Sequence, residues 1–187
     1  MNKTAYTFLA TGFEEVEALA VFDMLHRSKI DVKLVSITGD KLVTSSHGVS
    51  IMADLLFDDI KDTVADLLFL PGGMPGTTNL SAHDGLCKML TEHFKAGKHI
   101  AAVCAAPSVL GKLGFLKDKK ATCFPGFEDT LEGAAVLTDD RSVRVVTDGN
   151  ITTSRGMGTS VELGLELVKI LVSENTANEL ALTTQTL

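Results

Sequence analysis

Strand-like and helix-like patterns alternate along almost the whole of this chain, and that alternation narrows it to one fold class. Apolar runs at residues 5–10, 32–38, 65–70 and 99–103 read as strands, and helical periodicity covers 14–28, 85–96 and 159–172. Parallel strands need a crossover of a dozen or more residues between them, which a helix supplies. A mostly parallel sheet covered on both faces follows. The sequence therefore predicts a three-layer α/β/α sandwich with 1–187 as a single domain. Residues 41–44 and 49–53 read as a hairpin around Ser45-Ser46-His47-Gly48. Shorter strands are expected at 121–124, 135–138, 143–147 and 151–154, and a last helix at 175–182.

Composition removes several function classes. The chain is 45% apolar and carries a formal net charge of −7 with no long basic run, so nucleic acid and anionic membrane are not expected partners. Trp is absent and aromatic content is 5%, which leaves little for a base-stacking platform. No segment approaches the roughly 20 apolar residues of a membrane helix, and residues 1–10 are too short an apolar run for a signal-peptide core. Cys87, Cys104 and Cys123 are odd in number and far apart, which is not a disulfide framework. A cytoplasmic protein with reduced thiols is the expectation.

Open α/β sheets build their sites at the carboxyl ends of strands, near a switch in strand order. Four turns qualify: Thr11-Gly12, Pro71-Gly72-Gly73, Cys104, and Ser154-Arg155-Gly156-Met157-Gly158. Cys104 stands at the end of an apolar strand, with Pro107 placed for the first turn of a following helix. First-turn N–H groups would then face the sulfur and favour its thiolate. The competing reading is a small buried hydrophobe, the commoner fate of a free cysteine.

Glu17 sharpens the choice. At 100° per residue it lies in the middle of an arc with Phe13, Ala20, Val21 and Met24, so it faces inward. A buried carboxylate needs a partner or a proton, and desolvation raises its pKa. A protonated Glu17 donating to a Cys104 thiolate would satisfy both groups. Glu14 and Glu15 suit the start of the same helix, where Thr11-Gly12-Phe13-Glu14 has capping-box spacing. Leu19 and Phe22 leave apolar surface on its other side, a possible subunit contact.

The remaining motifs are weaker. Gly72 and Gly73 offer unencumbered N–H groups for an oxyanion near Cys104, or simply end a strand. Ser154-Arg155-Gly156-Met157-Gly158 lacks G-x-G-x-x-G spacing and reads better as a close strand–helix packing turn, with Arg155 bridging to an acid or another subunit. The histidines show no metal-ligand spacing, so no metal is expected. His26, His83 and His93 are expected at the surface, while His47 lies in the hairpin loop and could reach a site edge.

Taken together, Gly12-Phe13-Glu14-Glu15-Val16-Glu17-Ala18, Leu70-Pro71-Gly72-Gly73, Ala101-Ala102-Val103-Cys104-Ala105-Ala106-Pro107 and residues 154–160 resemble the ThiJ/PfpI superfamily. The resemblance is to the branch of the parkinsonism-associated protein deglycase and its small bacterial relatives. It implies a flavodoxin-like sandwich of the class I glutamine amidotransferase type, usually a homodimer. It implies a low-pKa Cys104 at a strained elbow, a protonated Glu17 bonded to it, and an anion pocket from Gly72, Gly73 and Ala105. Ser154, Arg155 and His47 would support that site. The activity implied is cofactor-free deglycase or glyoxalase chemistry on methylglyoxal or glyoxal and their adducts. The alternative is a non-enzymatic oxidative-stress sensor or holdase chaperone working through Cys104 oxidation. Peptidase-type members carry His directly after the nucleophile, where this chain has Ala105. Some deglycase relatives carry His before proline, where it reads Phe124-Pro125. Relatives often have an arginine pairing across the dimer at the position of His47. A role in thiazole-phosphate biosynthesis is an older label for some members.

Overall fold

Leu67, Leu68, Phe69 and Leu70 form one strand that is buried on both faces, so helices have to cover the sheet from both sides. The computed structural model, which describes residues 3–138 and 140–186, has that arrangement. In chain order its strands are β1 (Thr4–Leu9), β2 (Asp31–Ser36), β3 (Leu42–Thr44), β4 (Ser50–Met52), β5 (Leu55–Leu56), β6 (Leu67–Leu70), β7 (His99–Val103), β8 (Lys120–Ala121), β9 (Ala135–Val136), β10 (Val145–Asp148) and β11 (Ile151–Ser154). The helices are α1 (Glu15–Arg27), α2 (Phe57–Ile60), α3 (Gly76–Ala82), α4 (Asp84–Lys95), α5 (Pro107–Lys112), α6 (Ser160–Leu171) and α7 (Glu174–Thr183).

Seven strands pair in the order β10-β11-β7-β6-β1-β2-β5, all parallel except β10. Side chains alternate between the two faces, as strand geometry requires. Leu68 and Leu70 pack with Leu86, Leu90, Val109 and Leu110 of α4 and α5. Leu67 and Phe69 pack with Val21, Leu25, Leu163 and Leu167 of α1 and α6. Fully burying one such side chain contributes about 1.5–3 kcal/mol, so this four-residue strand anchors both layers.

The sheet grows outward from β1 to β2 and β5, then β6 returns to the other side of β1. The switch point thus lies between β1 and β6, where clefts form in open α/β sheets. The β3–β4 hairpin stands apart as its own antiparallel pair, and β8–β9 form a short parallel pair.

The structure differs from the sequence expectation in a few elements. The 121–124 strand shortens to Lys120–Ala121, and α2, α3 and β5 were not expected. His93 is buried rather than at the surface, because its Nε2 reaches the His99 carbonyl at 3.0 Å. On α1, Val16 and Leu19 are left exposed. No helix among the described residues is long and apolar enough to cross a membrane.

Candidate active site

α1 follows the carboxyl end of β1 after the turn at residues 10–14, and its first inward-facing position is Glu17, 1% exposed. The expected capping box does not form. Glu14 is itself the N-cap, accepting the Glu17 N–H at 2.6 Å, and this fixes the first turn that aims Glu17 inward. Glu17 Oε2 accepts the Gly72 N–H at 2.8 Å, and the carboxyl is also hydrogen-bonded to the Cys104 thiol.

Cys104 leaves β7 with φ of 63°, a left-handed conformation that costs a non-glycine residue about 1–3 kcal/mol unless its surroundings hold it. They do hold it. The Cys104 N–H donates to the Ser154 carbonyl at 3.0 Å, and the Phe124 N–H donates to the Cys104 carbonyl at 2.9 Å. The Ala106 N–H closes the turn onto the Val103 carbonyl at 3.0 Å. Strand β11 and the 122–125 segment therefore pin the elbow from two sides. Neither partner was evident from sequence, because both are main-chain groups brought in by sheet order.

Glycine is required at both positions after β6. A Cβ on Gly72 would lie 2.7 Å from Cys104 Cβ and 2.7 Å from Glu17 Oε2. Gly73 has φ of 87°, and a Cβ there would lie 2.5 Å from the Glu14 nitrogen. The backbone is thereby brought against the thiol, and the Gly73 and Ala105 N–H groups both donate to the sulfur.

These contacts correct the expected division of roles. The Gly72 N–H is taken by Glu17, so the glycine pair holds the carboxyl and the sulfur rather than waiting for a substrate oxygen. The helix after the elbow begins only at Pro107, and the sulfur's amide donors are Ala105 and, from a different strand end, Gly73.

Burial governs the acid–base state of both groups. Burial pushes the Glu17 carboxyl up to about 7, against the Cys104 and Gly72 hydrogen bonds that favour its anion. Burial, and then the negative charge of Glu17, pushes the Cys104 thiol up to about 12, against the Ala105 and Gly73 amides. The two groups share protons, and the first to leave the pair does so near neutrality.

Of the proposed supporting residues, Ser154 meets the elbow only through its main chain, and Arg155 and His47 make their hydrogen bonds elsewhere. Ser154 supplies its carbonyl to Cys104, while its hydroxyl bonds the Arg144 carbonyl at 2.9 Å and Thr159 Oγ1 at 2.6 Å. Arg155 donates to the carbonyls of Thr138 at 2.7 Å and Asp140 at 3.2 Å, bridging loops rather than meeting an acid. His47 is exposed and pairs with Glu15 at 3.1 Å, which raises the imidazole's pKa. Glu14, Glu15 and His47 could offer ligand atoms within 4.8 Å of one another, but Glu14 is already engaged as the helix cap. Cys123 is buried and its thiol pushed up to about 12 by burial, and burial also raises Cys87.

The family model described as the DJ-1/PfpI family matches residues 3–170. The chain is 39% identical to Protein DJ-1 homolog B of Arabidopsis thaliana over 92% of its own length and 39% of the relative's. It spans less than half the length of either Arabidopsis relative. Identity to Deglycase PfpI of Pyrococcus furiosus is 32%, covering 87% of this chain and 95% of that one. The crystal structure of Drosophila melanogaster DJ-1beta superimposes with a TM-score of 0.93 at 32% identity, covering 99% of this chain and 98% of that chain. With the elbow, the inward glutamate and the glycine pair in one site, and the match running through nearly all of the sheet, this chain belongs to the DJ-1/PfpI family.

Proposed function

We propose that this chain is a cofactor-free, cysteine-dependent deglycase or glyoxalase acting on methylglyoxal or glyoxal and their adducts. The observation that carries the reading is the buried Glu17–Cys104 pair, with Glu17 poised at about 7 and two amides directed at the sulfur. A general acid and base works best with its pKa near the working pH. The proton shared by the pair moves to Glu17 and leaves a thiolate stabilised by the Gly73 and Ala105 N–H groups.

The thiolate attacks the aldehyde carbon of methylglyoxal, forming a C–S bond as the carbonyl oxygen takes the proton from Glu17. Glu17, now a carboxylate, removes the hydrogen on that carbon, and the proton is returned to the neighbouring carbon through an enediol. A lactoyl thioester on Cys104 results. Water, deprotonated by Glu17, cleaves it to lactate and restores the thiol, so the net change is addition of one water. On an adduct, the same attack frees the amine or thiol.

The test is methylglyoxal turnover by C104S. Loss of about 10³-fold or more is expected for removal of a nucleophile. Turnover equal to wild type would overturn the reading. The related deglycase from Pyrococcus furiosus supports the enzyme class.

A second reading rests on the same two amides. Donors around a half-buried sulfur also suit the oxygens of an oxidised sulfur, so Cys104 would serve as an oxidant sensor.

A further inference from the structure

A groove of about 260 Å³ runs between α3 and α5, on the side of the elbow away from Glu17's helix. Met74, Thr77, Thr78 and Ser81 form one wall, and Ser108 and Lys112 the other. Two of its lining residues, Met74 and Ser108, stand next to residues of the site. Met74 follows Gly73, a donor to the Cys104 sulfur, and Ser108 Oγ donates to the carbonyl of Ala105, the other donor, at 2.7 Å.

Three features mark the groove as made for a polar ligand. Thr77 lines the groove at 3% exposure, and its hydroxyl, buried away from solvent, has no hydrogen-bond partner, an unfavourable state that a turn of its side chain towards a bound group would relieve. Thr78, Ser81 and Ser108 add three further hydroxyls to the walls. Lys112, at the outer end, donates to Ser81 Oγ at 3.1 Å and to the Ser81 carbonyl at 3.4 Å, and forms no ion pair within 4 Å among the described residues. An ammonium held over a hydroxyl-lined groove with no carboxylate within 4 Å among the described residues is free to receive an anion.

We propose that this groove is a subsite for a carboxylate carried by the substrate, so that Lys112 selects adducts of carboxylate-bearing amines or thiols over neutral ones. The proposal rests on the cysteine chemistry above. Ser108 and Lys112 are four residues apart on α5, about 6 Å along its axis. Counted from the Ser108 end of the groove, beside Ala105, a chain of four or five bonds to a carboxylate covers that length. An adduct of methylglyoxal with a small amino-acid thiol has such a chain, whereas methylglyoxal itself is too short to reach Lys112.

Alkylation of Cys104 reads the subsite without relying on turnover. The probes are 3-maleimidopropionate and the neutral N-propylmaleimide, with rates measured by mass spectrometry on the peptide containing Cys104. Wild type should prefer the carboxylate by about fivefold over the ratio seen with free cysteine, the size of one exposed charge contact. The preference should vanish in K112M, return in K112R and fall in T77V, with the neutral reagent reacting at an unchanged rate throughout. No preference in wild type, a preference surviving in K112M, or failure of either reagent to reach Cys104 overturns the subsite. Methylglyoxal turnover, which does not use Lys112, fails separately if the enzyme reading itself is wrong.

Discussion

Glu17 Oε2 accepts the Gly72 N–H at 2.8 Å, so the carboxyl that bonds the thiol is itself fixed by the strand end opposite. That arrangement makes the pair respond to charge in a diagnostic way. In E17Q the negative charge that helps raise the Cys104 pKa is gone, and an amide donor faces the sulfur instead. The thiol should therefore become more acidic while turnover falls by about 10²–10⁴-fold, the usual contribution of a general acid–base group. Thiolate absorbance near 240 nm against pH, beside a turnover assay, checks both. A thiol that becomes less acidic in E17Q would contradict the assigned coupling.

The raised Glu17 pKa also makes a statement about stability. Its folded value of about 7 exceeds its ordinary value of 4.5, so the folded state holds the proton more tightly. The associated stabilisation is complete below pH 4.5 and is lost as pH rises towards 7, at most about 3 kcal/mol. E17Q has no such proton. Its unfolding free energy relative to wild type should rise between pH 4.5 and 7.5, and urea denaturation at several pH values measures the slope. A flat difference would mean that Glu17 is not protonated in the fold.

Much of this was legible from residue patterns, and the rest depended on distances that no local pattern encodes. Glu17's inward position follows from helical periodicity alone, because Phe13, Val21 and Met24 share its stripe. The strands through Leu67–Leu70 and His99–Val103 announce themselves as apolar runs. α3 does not, since Gly76, Thr77, Thr78 and Asn79 are all poor helix formers and the helix forms through packing. The donors to the sulfur were assigned to a helix start, yet one comes from Gly73, 31 positions earlier in the sequence. Only the adjacency of β6 and β7 brings it there. His93 looked peripheral because its bond to the His99 carbonyl is a tertiary contact.

His99 should act on stability in the opposite direction from Glu17. It is 8% exposed, with Nε2 bonded to Thr152 Oγ1 at 2.8 Å, and burial then the nearby His93 lower its pKa from 6.5 to about 4. A base with a depressed folded pKa contributes stability that is present above pH 6.5 and lost as pH falls towards 4. Between pH 4.5 and 6.5 the two effects oppose each other in wild type, so a variant is needed to separate them. H99Q keeps a donor for Thr152 and removes the titration. It should lose less stability than wild type on going from pH 7 to pH 4.5, by up to about 3 kcal/mol. Equal losses in the two proteins would exclude His99 as a buried neutral base.

The close approach at Gly72 gives a steric prediction. In G72A the new methyl would sit 2.7 Å from both Cys104 Cβ and Glu17 Oε2, and neither can withdraw without leaving its partner. Overpacking of this kind costs about 1–3 kcal/mol of stability. The pair should separate as the strand end shifts, so turnover should fall well beyond what the loss of stability explains. Folded G72A with wild-type turnover would show that the glycine is not needed to hold the pair.

Peroxide should discriminate among the three thiols. A sulfur is oxidised as its thiolate and where oxidant can reach it. Cys123 is fully buried with its thiol pushed up to about 12, and Cys87 is raised by burial without an amide or acid partner. Cys104 is half-buried and has Glu17 to take its proton and two amides to bond the oxygens of an oxidised sulfur. With limiting hydrogen peroxide, peptide mass spectrometry should find two added oxygens on Cys104 before any on Cys87 or Cys123. Each oxygen comes from one peroxide, with water released. E17Q separates the roles of acid and amides, because it keeps both amides and removes the proton acceptor. If the amides dominate, its Cys104 oxidises at least as fast as wild type, and if the proton transfer dominates it oxidises more slowly. Oxidation of Cys87 or Cys123 ahead of Cys104 would contradict the assigned site.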